Sequence, residues 1–127
     1  MSAMERVSPV LIVDDDPTVL EMMEVLLSGE GYDVVTACNG IEALDRVNGQ
    51  RPAVIILDMC MPVLDGYSVI GQLRSQEKTR GIPIIAISAD SNARQRLAAL
   101  HVDSYLAKPF DIDRLVNSVR TLGYNAT

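Results

Sequence analysis

Several polar residues sit just after short apolar segments, and their types suit phosphoryl chemistry. Asp14 and Asp15 follow the segment VLIV, Asp58 follows VIIL, Ser88 closes IIAIS and Lys108 follows SYLA. Clustered carboxylates repel one another and need a cation, and an all-oxygen ligand set suits Mg²⁺. A carboxylate can also attack phosphorus, while a lysine and a hydroxyl stabilise the charge that develops on the phosphoryl oxygens. Brought together, these residues would form a magnesium-assisted phosphoryl-transfer site.

The elements that must position these residues are predicted by an alternation of two patterns. Short β-branched runs predict strands at residues 10–13, 33–37, 54–57, 84–88 and 104–107. Stretches of helical period predict helices from residue 17 to 29 or 31, and at about 40–47, 66–75, 92–100 and 112–122. Such alternation is typical of an open, largely parallel α/β sheet with helices on both faces. The carboxyl ends of its strands would then collect the polar residues at one edge.

Two aspartates near these segments are better explained by local structure than by chemistry. Asp16 precedes Pro17, and an acidic cap followed by proline is typical of a helix start. Asp65 and Gly66 together favour a turn that leads into a helix. We therefore interpret Asp16 as a cap and not as a metal ligand.

Composition limits the possible functions. The chain of 127 residues is 48% hydrophobic, which predicts one globular domain over 1–127, with a core at about 8–123 and short tails. A net charge of -6 disfavours direct binding to nucleic acid or to anionic membranes. No apolar run approaches the roughly 18 residues of a membrane helix, so we expect a soluble cytoplasmic protein. Cys38 and Cys60 form no CxxC pair, and we expect two reduced thiols.

Four segments resemble the motifs of the receiver domains of two-component response regulators. They are LIVDDDP at 11–17, IILDMCMP at 55–62 with LDG at 64–66, IIAISA at 84–89, and YLAKPF at 105–110. Each match alone is weak, but together they follow the family's order and span nearly the whole chain. The resemblance implies a five-stranded parallel sheet in the order 2-1-3-4-5, as in flavodoxin-like folds. It also implies a signalling domain and not an enzyme that turns over a substrate.

The resemblance further implies roles for individual residues. Asp58 would be the phosphoacceptor, and a sensor histidine kinase or a histidine phosphotransfer protein would donate the phosphoryl group. Asp14 and Asp15 would hold Mg²⁺ together with Asp58 and the backbone carbonyl of Cys60.

The remaining motif residues would respond to phosphorylation. Lys108 would pair with the phosphoryl group or with the acceptor, and its peptide bond to Pro109 would be cis. Ser88 would hydrogen-bond to the phosphoryl group while Tyr105 turns inward. These movements would change the face made by the fourth helix, fifth strand and fifth helix, where a downstream protein of unknown identity would bind. His101 departs from the family, which commonly has glycine there, and would be strained if its backbone is left-handed.

Three other functions compete with this interpretation. A phosphohydrolase of the haloacid dehalogenase type also uses an aspartate nucleophile, but it needs a second acid two residues later, where this chain has Cys60. A flavin- or nucleotide-binding domain would need a phosphate-cradling loop after the first strand, where this chain has three aspartates and a proline. The third alternative is a receiver that works without phosphorylation, and the presence of the complete residue set argues against it.

Overall fold

The strands and helices alternate along the whole described chain. The computed structural model describes residues 8–123, and the predicted tails lie outside these residues. The strands are β1 (Val10–Val13), β2 (Val34–Ala37), β3 (Val54–Asp58), β4 (Ile84–Ser88) and β5 (Ser104–Ala107). The helices are α1 (Pro17–Gly29), α2 (Gly40–Gly49), α3 (Gly66–Arg74), α4 (Ala93–Ala98) and α5 (Ile112–Gly123). The predicted bounds agree closely except at α4, which is shorter at both ends than the predicted 92–100.

The strands form one parallel sheet in the order β2-β1-β3-β4-β5, which confirms the predicted topology. Every residue of β1, β3 and β4 is buried, because helices cover both faces of these central strands. Alternate strand residues therefore enter two separate aliphatic clusters. One cluster lies against α2, α3 and α4, and the other lies against α1 and α5.

The register of the sheet sets where the functional residues lie. Val13 pairs with Leu57, and Asp58 pairs with Ile87, so the carboxyl ends of β1, β3 and β4 are level with one another. Ser88 in turn pairs with Ala107, the last residue of β5. The loops that follow these strands therefore leave the sheet from the same edge.

The loop after β1 turns directly into α1. The carboxylate of Asp16 accepts a hydrogen bond of 2.9 Å from the Thr18 N–H, and Pro17 is the first helical residue. Asp65 caps α3 in the same way, accepting a bond of 2.8 Å from the Ser68 N–H. Both capping interpretations are confirmed, and each cap ends its loop within a few residues of the sheet edge.

The C-terminal end of α4 is held by a partly buried arginine. His101 has a φ of 56°, so the left-handed conformation predicted as a possible source of strain is present. The Arg74 side chain, 16% exposed, donates to the carbonyl oxygens of Arg80, Ile82 and His101 and pairs with Asp103 at 3.3 Å. These bonds fix the segment between α4 and β5 although it lacks the glycine that usually permits such a turn.

Replacing His101 with glycine is expected to stabilise the protein. Glycine adopts the left-handed conformation without a Cβ clash, so His101→Gly should raise the free energy of unfolding by about 0.5–1 kcal/mol. Urea denaturation followed by circular dichroism measures this change. Ala98→Gly, an exposed change at the last residue of α4, should instead lower stability, because glycine there has no left-handed conformation to relieve. Equal destabilisation by both variants would show that the backbone at His101 is not strained.

Candidate functional site

Three carboxylates meet at the carboxyl edge of the sheet. Asp14 and Asp15 follow β1, and Asp58 ends the adjacent strand β3. One oxygen from each carboxylate lies within 4.8 Å of the other two. Asp14 and Asp58 are buried, whereas Asp15 is exposed and leaves the cluster open to solvent. The sequence therefore correctly predicted that these three residues would come together.

The electrostatics of this cluster favour a cation. Burial raises the pKa of Asp14 above its usual value of 3.8, and the nearby Asp58 carboxylate raises it further. A hydrogen bond of 2.9 Å from the Asp16 N–H and the charge of Lys108 oppose these effects without cancelling them. A divalent ion would remove the remaining repulsion. Closely spaced carboxylate oxygens open to water are the donor set that Mg²⁺ binds.

Two donors contact the Asp58 carboxylate. The Nζ of Lys108 lies 3.5 Å from Oδ1 of Asp58, and the Cys60 N–H donates a bond of 3.1 Å to the same oxygen. The loop after Asp58 also packs tightly on the start of α3. A Cβ at Gly66 would lie 2.7 Å from Cα of Met59 and 3.0 Å from the carbonyl oxygen of Asp58. Only glycine fits there, so Gly66 has a role in packing beyond starting the helix.

The ends of β4 and β5 are joined beside the acidic cluster. The Lys108 N–H donates a bond of 2.9 Å to the Ser88 carbonyl oxygen, and the peptide bond between Lys108 and Pro109 is cis, as predicted. The Ser88 hydroxyl is buried and accepts a bond of 3.0 Å from the Asp90 N–H. Tyr105 lies on β5, half-buried, and the Arg94 guanidinium is 5.5 Å from its ring centroid. Tyr105 therefore contacts α4 in this conformation.

A cleft of about 290 Å³ opens next to Asp58, between the loop after β3 and the loop after β4. It is lined by Met59, Cys60, Met61, Asp65, Tyr67, Ser88, Asp90 and Arg96. Ser88 and Cys60 could be identified from the sequence, but Tyr67 and Arg96 could not, because no motif marks either residue. Val63, an exposed β-branched residue with a φ of 72° in the loop between Asp58 and α3, could not be identified either.

Cys38 comes directly after β2 and Cys60 lies in the loop after β3, and the two residues do not form a disulfide. Cys38 and Cys60 are both free and exposed. A hydrogen bond with the Glu42 carboxylate raises the pKa of the Cys38 thiol, which makes its thiolate form scarcer. The prediction of two unpaired thiols is confirmed, and neither thiol belongs to the core.

A family model described as the response regulator receiver domain matches residues 10–120. The chain belongs to the response regulator receiver domain family. The transcriptional regulatory protein PrrA of Mycobacterium tuberculosis is 44% identical over 115 residues, which cover 89% of this chain and 48% of PrrA. The receiver chain thus spans about half the length of the curated relatives it matches. Its function is that of a receiver domain in a two-component system.

Solved receiver structures have the same fold. A response regulator from Chloroflexus aurantiacus is 36% identical with a TM-score of 0.86, covering 92% of this chain and 98% of that one. The response regulator TrrA of Thermotoga maritima, solved in complex with Mg(2+)-BeF, is 35% identical with a TM-score of 0.82. The alignment with TrrA covers 91% of this chain and 99% of TrrA. The family resemblance inferred from the four motifs is confirmed.

The family match argues against the competing assignments of a phosphohydrolase and of a flavin-binding domain. The chain also lacks residues that each of these functions needs. Within residues 8–123, no helix is both long enough and apolar enough to cross a membrane.

The repulsion within the acidic cluster predicts how stability depends on magnesium. The raised pKa of Asp14 means that the folded chain holds this proton more tightly than the unfolded chain does. The ionised carboxylate therefore costs stability above the raised pKa, and this cost disappears as the pH falls below 3.8. At neutral pH in EDTA, Asp14→Asn should raise the free energy of unfolding by about 1 kcal/mol, the size of a charge–charge interaction at about 4 Å that water screens, because the cluster is open to solvent at Asp15.

Magnesium should reverse this ranking. In saturating Mg²⁺, the free energy of unfolding should rise more for the wild type than for Asp14→Asn, because the variant has one charged carboxylate fewer in the cluster. Asp45→Asn, which removes an exposed carboxylate on α2, serves as the control and should respond to Mg²⁺ like the wild type. A wild type that gains no stability from Mg²⁺ would contradict the assignment of a cation to this cluster.

Proposed function

We propose that Asp58 accepts a phosphoryl group from a phosphohistidine on a sensor histidine kinase or a histidine phosphotransfer protein. The observation that carries this proposal is the environment of Asp58. It is a buried carboxylate with two further carboxylates within 4.8 Å and a lysine at 3.5 Å. Of the described residues, this is the acidic group able to hold a metal ion. Mg²⁺ would be held by Asp14, Asp15, Asp58 and the backbone carbonyl of Cys60.

The proposed reaction is an in-line transfer. An oxygen of the Asp58 carboxylate forms a bond to phosphorus while the bond between phosphorus and the histidine nitrogen breaks, and the histidine leaves with the electron pair. Mg²⁺ held by Asp14, Asp15, Asp58 and the Cys60 carbonyl would supply positive charge that offsets the repulsion between the carboxylates and the phosphoryl oxygens. Lys108, whose Nζ lies 3.5 Å from Asp58, and the Ser88 hydroxyl, which lines the adjoining cleft, would contact the phosphoryl oxygens. The receiver thus assists its own phosphorylation and the slow hydrolysis of the product.

The proposed output is a change in a binding surface. When Ser88 moves towards the phosphoryl group, Tyr105 turns inward and alters the face formed by α4, β5 and α5. This face already carries a groove of about 360 Å³ lined by residues of α4 and β5, including Arg94, Leu97 and Tyr105. A complete switch from inactive to active requires about 5.5 kcal/mol of differential stabilisation, so partial shifts are expected from weaker signals.

The proposed partners follow from this output. The downstream target is a protein, because the net charge of -6 does not favour direct contact with nucleic acid. PrrA is named a transcriptional regulatory protein, and this chain matches 48% of its length. In a protein built in that way, a domain other than the receiver would contact DNA. We propose that this receiver domain, with its core at 8–123, works in the cytoplasm, where its phosphodonor would also be.

Intact mass spectrometry after incubation with acetyl phosphate tests the proposal. The wild type should gain one phosphoryl group in Mg²⁺ and none in EDTA. Asp58→Ala should gain none under either condition, because it lacks the acceptor carboxylate, while the control Asp45→Ala should behave like the wild type. An Asp58→Ala variant that still gains a phosphoryl group would refute the assignment. A wild type that gains none, even from a histidine kinase, would favour a receiver that works without phosphorylation.

A further inference from the structure

Ser88 is tied to the start of α4 through Asp90. The Asp90 N–H donates a bond of 3.0 Å to the Ser88 hydroxyl oxygen. The Asp90 carboxylate accepts a bond of 2.9 Å from the Asn92 N–H, and its other oxygen lies 3.5 Å from Nη1 of Arg96. A movement of Ser88 therefore displaces Asp90, and Asp90 is in turn held by Arg96.

Arg96 is fixed from the opposite side of the cleft. Its guanidinium carbon lies 3.8 Å from the ring centroid of Tyr67, which is close enough for stacking and a cation–π interaction. Tyr67 belongs to α3, and α3 begins at Gly66, which packs against the backbone of Met59 next to the acceptor. The position of Arg96 therefore depends on the helix that follows β3, whereas Ser88 ends β4 and Asp90 lies in the loop that follows it.

The Tyr67 side chain is held by packing. Its hydroxyl is buried, and no hydrogen-bond partner for it is found among residues 8–123. Burial raises the pKa of this hydroxyl, so it stays protonated at neutral pH. The ring, and not the hydroxyl, is therefore the part of Tyr67 that contacts Arg96.

We propose that Arg96 is a positioning residue that restrains Ser88 in the unphosphorylated receiver, acting through Asp90 and supported by the ring of Tyr67. This inference rests on the proposed function, in which Ser88 moves towards a phosphoryl group on Asp58. That movement pulls Asp90 away from Arg96 while the stack on Tyr67 holds Arg96 in place. The interaction must be weakened before the active conformation can form.

The expected size of this restraint is modest. The side chains of Arg96 and Asp90 are 55% and 43% exposed, so water screens their ion pair. The restraint therefore sets the balance between the two conformations and does not block the switch. Removing it should increase the affinity for a phosphoryl analogue by up to about fivefold, the range that one exposed ion pair can provide.

Binding of beryllofluoride in saturating Mg²⁺, measured by calorimetry, tests the restraint. Arg96→Gln should bind beryllofluoride up to about fivefold more tightly than the wild type, and Tyr67→Leu should change the affinity in the same direction because it frees Arg96 to follow Asp90. Tyr67→Phe keeps the stacked ring and should bind like the wild type. Arg120→Gln is the matched control, because it removes another exposed arginine ion pair, to Glu30 at 3.8 Å, on α5.

The affinity for Mg²⁺ alone separates a positioning role from a general structural one. Binding of the ion does not require Ser88 to move, so Mg²⁺ affinity should be the same in the wild type, Arg96→Gln and Tyr67→Leu. Wild-type or weaker beryllofluoride binding by Arg96→Gln would overturn the restraint, and so would an equal tightening in Tyr67→Phe. A wild type that binds no beryllofluoride in Mg²⁺ would instead refute the proposed function and the restraint with it. Arg96 is exposed, so its variant should fold even if Tyr67→Leu does not.

Discussion

The repulsion between the carboxylates of Asp14, Asp15 and Asp58 is the constraint on which the site depends. Three acids within 4.8 Å of one another are unfavourable unless something fixes them in place and compensates their charge. The sheet fixes them, because β1 and β3 are adjacent and almost wholly apolar, and a shift in register would expose their aliphatic residues. Lys108 compensates only part of the charge, and the remainder favours a divalent cation.

In the short loop after β1, polar groups form hydrogen bonds with residues close by in the chain. Asp16 caps α1 and donates its N–H to Asp14, so a single residue both starts the helix and orients a carboxylate of the cluster. The tight approach of Gly66 to Met59 similarly places the first turn of α3 against the loop after Asp58. That loop also forms one wall of the cleft lined by Arg96 and Tyr67. A change at Asp58 is therefore close to the contacts of Arg96.

Much of this arrangement could be predicted from the sequence. The apolar runs around Val10, Val54 and Ile84 predicted buried parallel strands, and the positions of the polar residues after them predicted the edge where they meet. Those features follow from local patterns, which a single sequence displays directly. The roles of Asp58, Ser88, Lys108 and Tyr105 came from the family resemblance, which the family model confirms at the level of the domain.

The features that were missed depend on contacts between residues distant in the chain. Arg74 reaches the carbonyl oxygen of His101, and Arg96 stacks on Tyr67, but neither pair has a sequence pattern that marks it. The left-handed backbone at Val63 is also contrary to the preference of a β-branched residue, so no propensity rule would have indicated it. Tertiary packing overrides local preference at these positions.

Chemical mapping of the modified residue tests the central claim most directly. Reduction with borohydride after phosphorylation converts an acyl phosphate on aspartate to homoserine, which peptide mass spectrometry can locate. Our account predicts homoserine at position 58 and at no other aspartate, with none formed when Mg²⁺ is removed. Homoserine at position 14 or 15, or a stable phosphate on Ser88, would contradict it.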